Sequence, residues 1–193
     1  ETIKITTGGT LNSVATTGDV VSTGSASNGG EVYLHATAGN IDLAGNVTAN
    51  SQGIGTLGGN IAIEASGSVK VSNVSSAGSV AANNGTVQLI AGTGITQYAD
   101  PLAITAKYLR LVSTGGDVIL TNANNDAQIL AAALSGASSL DYNDLNALTL
   151  DTVPAIVSTI GAPQTATSDV TVTGPETIKI TTGGTLNSVA TTG

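Results

Sequence analysis

The 193-residue sequence contains no cysteine, methionine, tryptophan or phenylalanine, and only 9% of it is charged. Without cysteine there is neither a disulfide framework nor a thiolate metal site, and cysteine usage leaves the compartment open. Without the large core-fillers an interior has to be built from Val, Ile, Leu and Ala, which suits many thin layers better than one thick core. Positive charge is scarce as well. Five Lys+Arg stand against 13 Asp+Glu, giving a net charge of −8, and that balance disfavours nucleic acid or an anionic membrane surface as a partner through repulsion. The longest apolar stretch, around Ile129–Leu134, falls far short of the roughly 18 residues that span a bilayer, so no membrane insertion is expected.

What the chain does have is 40% hydrophobic residues, 25 glycines and a repeat. High apolar content with low charge density marks a chain that folds. Residues 1–18 and 176–193 both read ETIKITTGGTLNSVATTG, identical at all 18 positions and offset by 175. Such identity predicts one full tandem repeat over 1–175 and the start of the next over 176–193. The first residue is Glu1, not Met, which reads as a piece excised from a longer array.

A shorter rhythm runs inside that period. TIKIT (2–6), EVYLH (31–35), NIAIE (60–64), TVQLI (86–90) and YLRLV (108–112) each alternate apolar residues, with steps of 29, 29, 26 and 22 residues measured from Ile3, Val32, Ile61, Val87 and Leu109. Alternation places one row of side chains inward on a strand. Gly-rich triplets ending at Gly9, Gly30, Gly59, Gly85 and Gly116 mark corners between the runs. Strands too short to close their own core, at this spacing, predict an all-β fold of the right-handed parallel β-helix (β-solenoid) kind, roughly 6 to 8 coils per repeat. Ile3, Ile5, Val32, Leu34, Ile61, Ile63, Val87, Leu89, Leu109 and Leu111 are its predicted inward rows. An antiparallel sandwich is the alternative, but sandwich cores normally draw on aromatics, and this chain has only Tyr33, Tyr98, Tyr108 and Tyr142. At about 4.8 Å per coil, one period should advance about 29 to 38 Å, with the two copies of residues 1–18 alike in conformation and related by one fixed rotation. Residues 122–169 are the least regular: Ala and Leu suggest a helical turn at Gln128–Leu134, and Pro154–Pro163 a loop or lateral protrusion.

The phrases GGNIAIEASGSVKVSN (58–73), LRLVSTGGDVILTNANNDAQIL (109–130) and LNALTLDTV (145–153) resemble the repeats of large filamentous-haemagglutinin-type exoproteins of the two-partner-secretion class. That resemblance implies a secreted, extracellular adhesin or surface fibre on a bacterial cell, right-handed and parallel in its winding. Its partners would be neighbouring repeats of the same chain stacked end to end, together with other fibres or a host or cell-surface ligand. The coils here are longer and less even than that family's compact repeats, and the 175-residue super-period is a further departure.

Candidate chemistry is sparse, and no catalytic, cofactor-binding or metal-ligating residue is assigned. His35 is the only imidazole and reads as a surface or corner residue. No G-x-S-x-G elbow occurs. A carbohydrate-active β-helix enzyme, a lyase or hydrolase, would need clustered carboxylates beside a base. The best group, Asp141, Asp144 and Asp151, has no basic residue near it in sequence and reads as solvated turn carboxylates; the basic residues are Lys4, Lys70, Lys107, Arg110 and Lys179. Calcium would require oxygen ligands such as Asn122, Asn124, Asn125 and Asp126, which serve equally as caps for turn backbone. Thr6–Thr7 and Thr171-Val172-Thr173 suggest an ice-binding face, but NIAIE and TVQLI do not continue it. No enzymatic role and no cofactor are expected.

Overall fold

The computed structural model describes residues 2–13, 18–24, 27–99, 102–156, 165–173 and 176–189. The chain is 51% strand in a curled, nearly all-parallel sheet, and the described residues include no α-helix. The antiparallel sandwich is thereby excluded: the one antiparallel contact among the described pairings is an isolated bridge, Val153 to Thr167.

Two long ladders and a shorter one organise the sheet. The first ladder runs through Thr2–Thr7, Glu31–Ala36, Ile61–Ala65, Thr86–Ala91, Ile104–Ser113, Asp126–Leu134, Leu148–Leu150 and Leu186–Ser188. The second runs through Leu11–Ser13, Ile41–Leu43, Val69–Val71, Ile95–Gln97, Val118–Leu120, Leu140–Asp144 and Ile178–Thr182. A side ladder of Val20–Val21, Val47–Thr48 and Val74–Ser75 leads into the start of Ile104–Ser113. One core cluster draws inward residues from all three ladders.

The alternation in the sequence sets the register. Ile3 lies opposite Val32, Val32 opposite Ile61, Ile61 opposite Val87 and Val87 opposite Leu109; the same row continues through Leu130 to Leu150. Of the ten predicted inward residues, the eight from Val32 to Leu111 are at most 1% exposed. Burying an aliphatic side chain of this size contributes about 1.5 to 3 kcal/mol, which is how a chain without Phe, Trp or Met holds a core. Ile3 is only partly buried and Ile5 is 36% exposed. Both sit on Thr2–Thr7, the end strand, which among the described strands has a partner on one edge only.

The predicted helical turn at Gln128–Leu134 is a strand instead, part of Asp126–Leu134. Pairing on both edges, with Ile104–Ser113 on one side and with Leu148–Leu150 and Val170–Val172 on the other, outweighs the helix preference of Ala and Leu. Leu148–Leu150 takes the first half of that strand and Val170–Val172 the second, so the chain makes an excursion from a single ladder position, leaving it after Leu150 and regaining it at Val170. Of the predicted loop at Pro154–Pro163, Pro154–Ile156 is described; it lies against the outer face, where Ile156 packs with Tyr33 and Ala62. Residues 157–164 lie outside the described residues.

Corners before successive first-ladder strands are packed backbone on backbone. A Cβ on Gly59 would run into the carbonyl of Gly30 one layer below, so only glycine fits. The two copies of the duplicated segment keep the same strand positions, Thr2–Thr7 with Leu11–Ser13 and Ile178–Thr182 with Leu186–Ser188. They do not keep the same place: the first pair of strands runs from first to second ladder, the second pair from second to first.

Candidate functional site

Outward residues on a curled sheet ordinarily meet water, yet on the first ladder a connected trio of polar ones is buried. Val87 and Leu89 point inward, so Gln88 points outward, and the register sets it directly opposite Arg110 on the next strand. Glu64 lies diagonally on the strand before. Gln88 is wholly buried, with Arg110 4% and Glu64 6% exposed.

The cover is the excursion. Val153 and Thr167 exchange N–H···O bonds of 2.8 and 3.0 Å, closing its base. Arg110 Nη2 donates to the Thr165 carbonyl at 2.9 Å, and the Ile156 N–H donates to Gln88 Oε1 at 3.0 Å. Gln88 serves as the hub: its Nε2 donates to Glu64 Oε1 at 2.7 Å while its Oε1 also accepts from Arg110 Nη1 at 3.1 Å. Burial pushes the Glu64 carboxyl up, partly offset by the Gln88 hydrogen bond and by the nearby His35 and Arg110. Burial likewise lowers the Arg110 guanidinium, with Glu64 opposing. Arg110 Nε and His35 Nδ1 are buried with no hydrogen-bond partner among the described residues.

The carboxylates singled out from the sequence are not brought together. Asp141 is on the outer side of Leu140–Asp144, where it forms an ion pair with Lys179 at 3.0 Å. The missing base was therefore supplied 38 residues further along. Asp144 is no solvated turn residue; it points inward, 4% exposed. Its Oδ2 accepts from the Tyr142 hydroxyl at 2.8 Å and the Ala127 N–H at 2.9 Å, and its Oδ1 from the Asn146 N–H at 3.0 Å. Desolvation raises its carboxyl despite these three donors. Asp151 accepts from the Thr152 N–H, a purely local contact.

Asn125 is fully buried. Its Oδ1 accepts from the Ile104 N–H at 2.8 Å and Gln97 Nε2 at 2.9 Å, while its Nδ2 donates to Gln97 Oε1 and the Leu120 carbonyl. Those oxygens cap backbone and side chain, as Asn122 Oδ1 does for the Asn124 N–H. Among the described residues no group of three His, Cys, Asp or Glu is arranged to hold a metal ion.

No family model, curated protein or solved structure matches the chain. A surface groove of about 360 Å3 is lined among others by Glu31, Asn60, Gly59, Lys107 and Tyr108, with Lys107 Nζ 5.2 Å from the Tyr108 ring centre. Lys70 stands 3.8 Å over the Tyr98 ring, whose hydroxyl donates to Asp42 Oδ1 at 2.7 Å. The Glu64–Gln88–Arg110 cluster is enclosed, and what it does chemically is fasten the excursion to the sheet. Sequence reasoning missed it because its members are 24 and 22 residues apart. The signal was present in the alignment of TVQLI with YLRLV, which puts Gln88 and Arg110 at the same position of successive strands.

Proposed function

We propose that this chain is a structural segment of a large secreted surface fibre or adhesin, built as a right-handed parallel β-helix and extracellular on a bacterial cell. Residues 1–175 form one tandem repeat and 176–193 begin the next. Its task is reach and stiffness, and its nearest partners are neighbouring repeats of the same chain, with other fibres or a cell-surface ligand taken up laterally. The observation carrying this reading is the duplicated segment, which contributes the end strands of parallel ladders at both ends of the described fold. A parallel end strand presents unpaired N–H and C=O groups, and further coils satisfy them. Right-handed winding is the sense that connections between parallel strands adopt almost without exception.

A carbohydrate-active enzyme would need two accessible carboxylates flanking a substrate. Glu64 and Asp144, the carboxyls with raised pKa, are both buried among protein donors, which favours the structural reading.

Arrays of one, two and four periods, imaged by electron microscopy, test it. Unbranched rods that lengthen by about 29 to 38 Å per period are expected. Separate beads joined by flexible connections would overturn it, as would antibody against the chain reaching its target only in permeabilised cells.

A further inference from the structure

We infer that consecutive repeats join by exchanging ladders: the first ladder of one repeat continues as the second ladder of the next, and the second as the first. The inference rests on the tandem-array reading above and specifies its junction.

The two copies of the duplicated segment each show one half of that junction. Ile178–Thr182 is the last strand of the second ladder, with Leu140 opposite Ile178. Its counterpart Thr2–Thr7 begins the first ladder, with Ile3 opposite Val32. Likewise Leu186–Ser188 ends the first ladder on Leu148–Leu150, whereas its counterpart Leu11–Ser13 begins the second beneath Ile41–Leu43. Because the sequences are identical, the strand after Ile178–Thr182 is the next repeat's Glu31–Ala36, and the strand after Leu186–Ser188 is its Ile41–Leu43.

The backbone groups are complementary in the way this requires. Towards the preceding strand, the Thr177 carbonyl accepts from the Leu140 N–H and the Gly183 N–H donates to the Asp144 carbonyl. Towards the following strand, the Thr7 carbonyl, equivalent to that of Thr182, accepts from the Thr37 N–H. These belong to alternate residues, so one strand makes both sets without conflict. In the other strand, the Thr185 carbonyl and the Val189 N–H face back to Leu148 and Leu150, while the Leu11 N–H, equivalent to that of Leu186, faces forward to Asn40.

A glycine pair points the same way. Nothing lies within 4 Å of a Cβ placed on Gly8 or Gly9, so this chain gives them no steric reason to be glycine at that end. Their counterparts Gly183 and Gly184 press against the backbone of Leu145, Asn146 and Ala147. The pair fits a preceding repeat. The outer side chain at the junction is also satisfied twice: Lys179 pairs with Asp141 at 3.0 Å, and its counterpart Lys4 lies 5.3 Å from the ring centre of Tyr33. In an array one lysine bridges the carboxylate below and the tyrosine above. A given outer face, such as that bearing the excursion, then recurs on the same side only in every second repeat.

Disulfide trapping in a chain of two periods, residues 1–175 followed by 1–193, tests this. The protein has no cysteine of its own, and neighbouring parallel strands bring opposed Cα atoms within disulfide range. Asp141→Cys with Lys179→Cys should cross-link, and so should Lys179→Cys with Tyr33→Cys of the second period. Lys4→Cys with Tyr33→Cys inside the first period sets the yield for that same contact. Asp141→Cys with Asn187→Cys should not cross-link, because that pairing arises only if repeats keep their ladders. Its appearance in place of the first pair overturns the exchange while leaving the array intact. Failure of the Lys179–Tyr33 pair, with the Lys4–Tyr33 control forming, overturns both.

Discussion

Arg110 and Gln88 stand opposite each other on adjacent parallel strands, and Arg110 Nη1 donates to Gln88 Oε1 at 3.1 Å beneath a segment more than forty residues further along the chain. One amide thereby joins a carboxylate, a guanidinium and the Ile156 N–H. A buried charge left without its partner is strongly destabilising, and the hydrogen bonds that the cluster makes to the covering segment specify where that segment docks.

Gln88→Ala should therefore cost more than the loss of a neutral hydrogen bond. It removes the partner of Glu64 Oε1, of Arg110 Nη1 and of the Ile156 N–H together, leaving Arg110 only its bond to the Thr165 carbonyl, and about 3 kcal/mol is expected from the unsatisfied charged groups. Urea unfolding measures the loss, and limited proteolysis locates it: cleavage within residues 151–169 should accelerate before the ladders are attacked. An unchanged unfolding midpoint with an unchanged cleavage pattern would show that the cover is held by something else.

The core tests the register. Ile61 is wholly buried between Val32 and Val87, so Ile61→Asp buries an unpaired charge and should abolish the cooperative transition seen by circular dichroism. Ile119, on the outer side of the second ladder, is 44% exposed. Ile119→Thr there should change stability by no more than about 0.5 kcal/mol. Equal sensitivity at the two positions would contradict the inward row.

Those rows were legible because period-two alternation recurs in each of the five short runs between Thr2 and Val112, and the matching of Ile3, Val32, Ile61, Val87 and Leu109 needed nothing beyond counting. Two things were not legible. Gln128–Leu134 has the composition of a helix, and only the strands on both its edges decide otherwise. Asp144 looks like a turn carboxylate until Leu140–Asp144 is seen to end with that residue pointing inward to Tyr142. Pairings 38 residues apart, such as Asp141 with Lys179, depend on how far the excursion at 151–169 lengthens one circuit of the chain, and local pattern carries no record of that.

Glycine at the corners gives a sharper contrast than a general loss of flexibility. Gly59→Ala drives a Cβ into the Gly30 carbonyl, and the backbone cannot yield without opening the layer. Gly8→Ala meets open space in this chain. Thermal unfolding should show a large fall for the first and little change for the second. A tolerated Gly59→Ala would mean that the corner stack is looser than the packing requires.

The response to acid follows from the two buried carboxyls. Glu64 and Asp144 are raised in the folded chain from ordinary values of 4.5 and 3.8, in each case chiefly by burial. A carboxyl whose folded value is raised binds its proton in the folded state before it does so in the unfolded state. Stability from these groups is then fully present below the ordinary values and is lost as pH rises through the raised ones. Cooling the net charge of −8 by protonation acts in the same direction. The urea midpoint should therefore be higher at pH 5 than at pH 7, opposite to the behaviour of a protein held by exposed carboxylate ion pairs. Glu64→Gln combined with Asp144→Asn removes both titrating groups and should flatten most of that difference while leaving circular dichroism unchanged at pH 7. A parent midpoint that falls between pH 7 and pH 5, or a double variant that keeps the whole dependence, would show that these two carboxyls do not govern it.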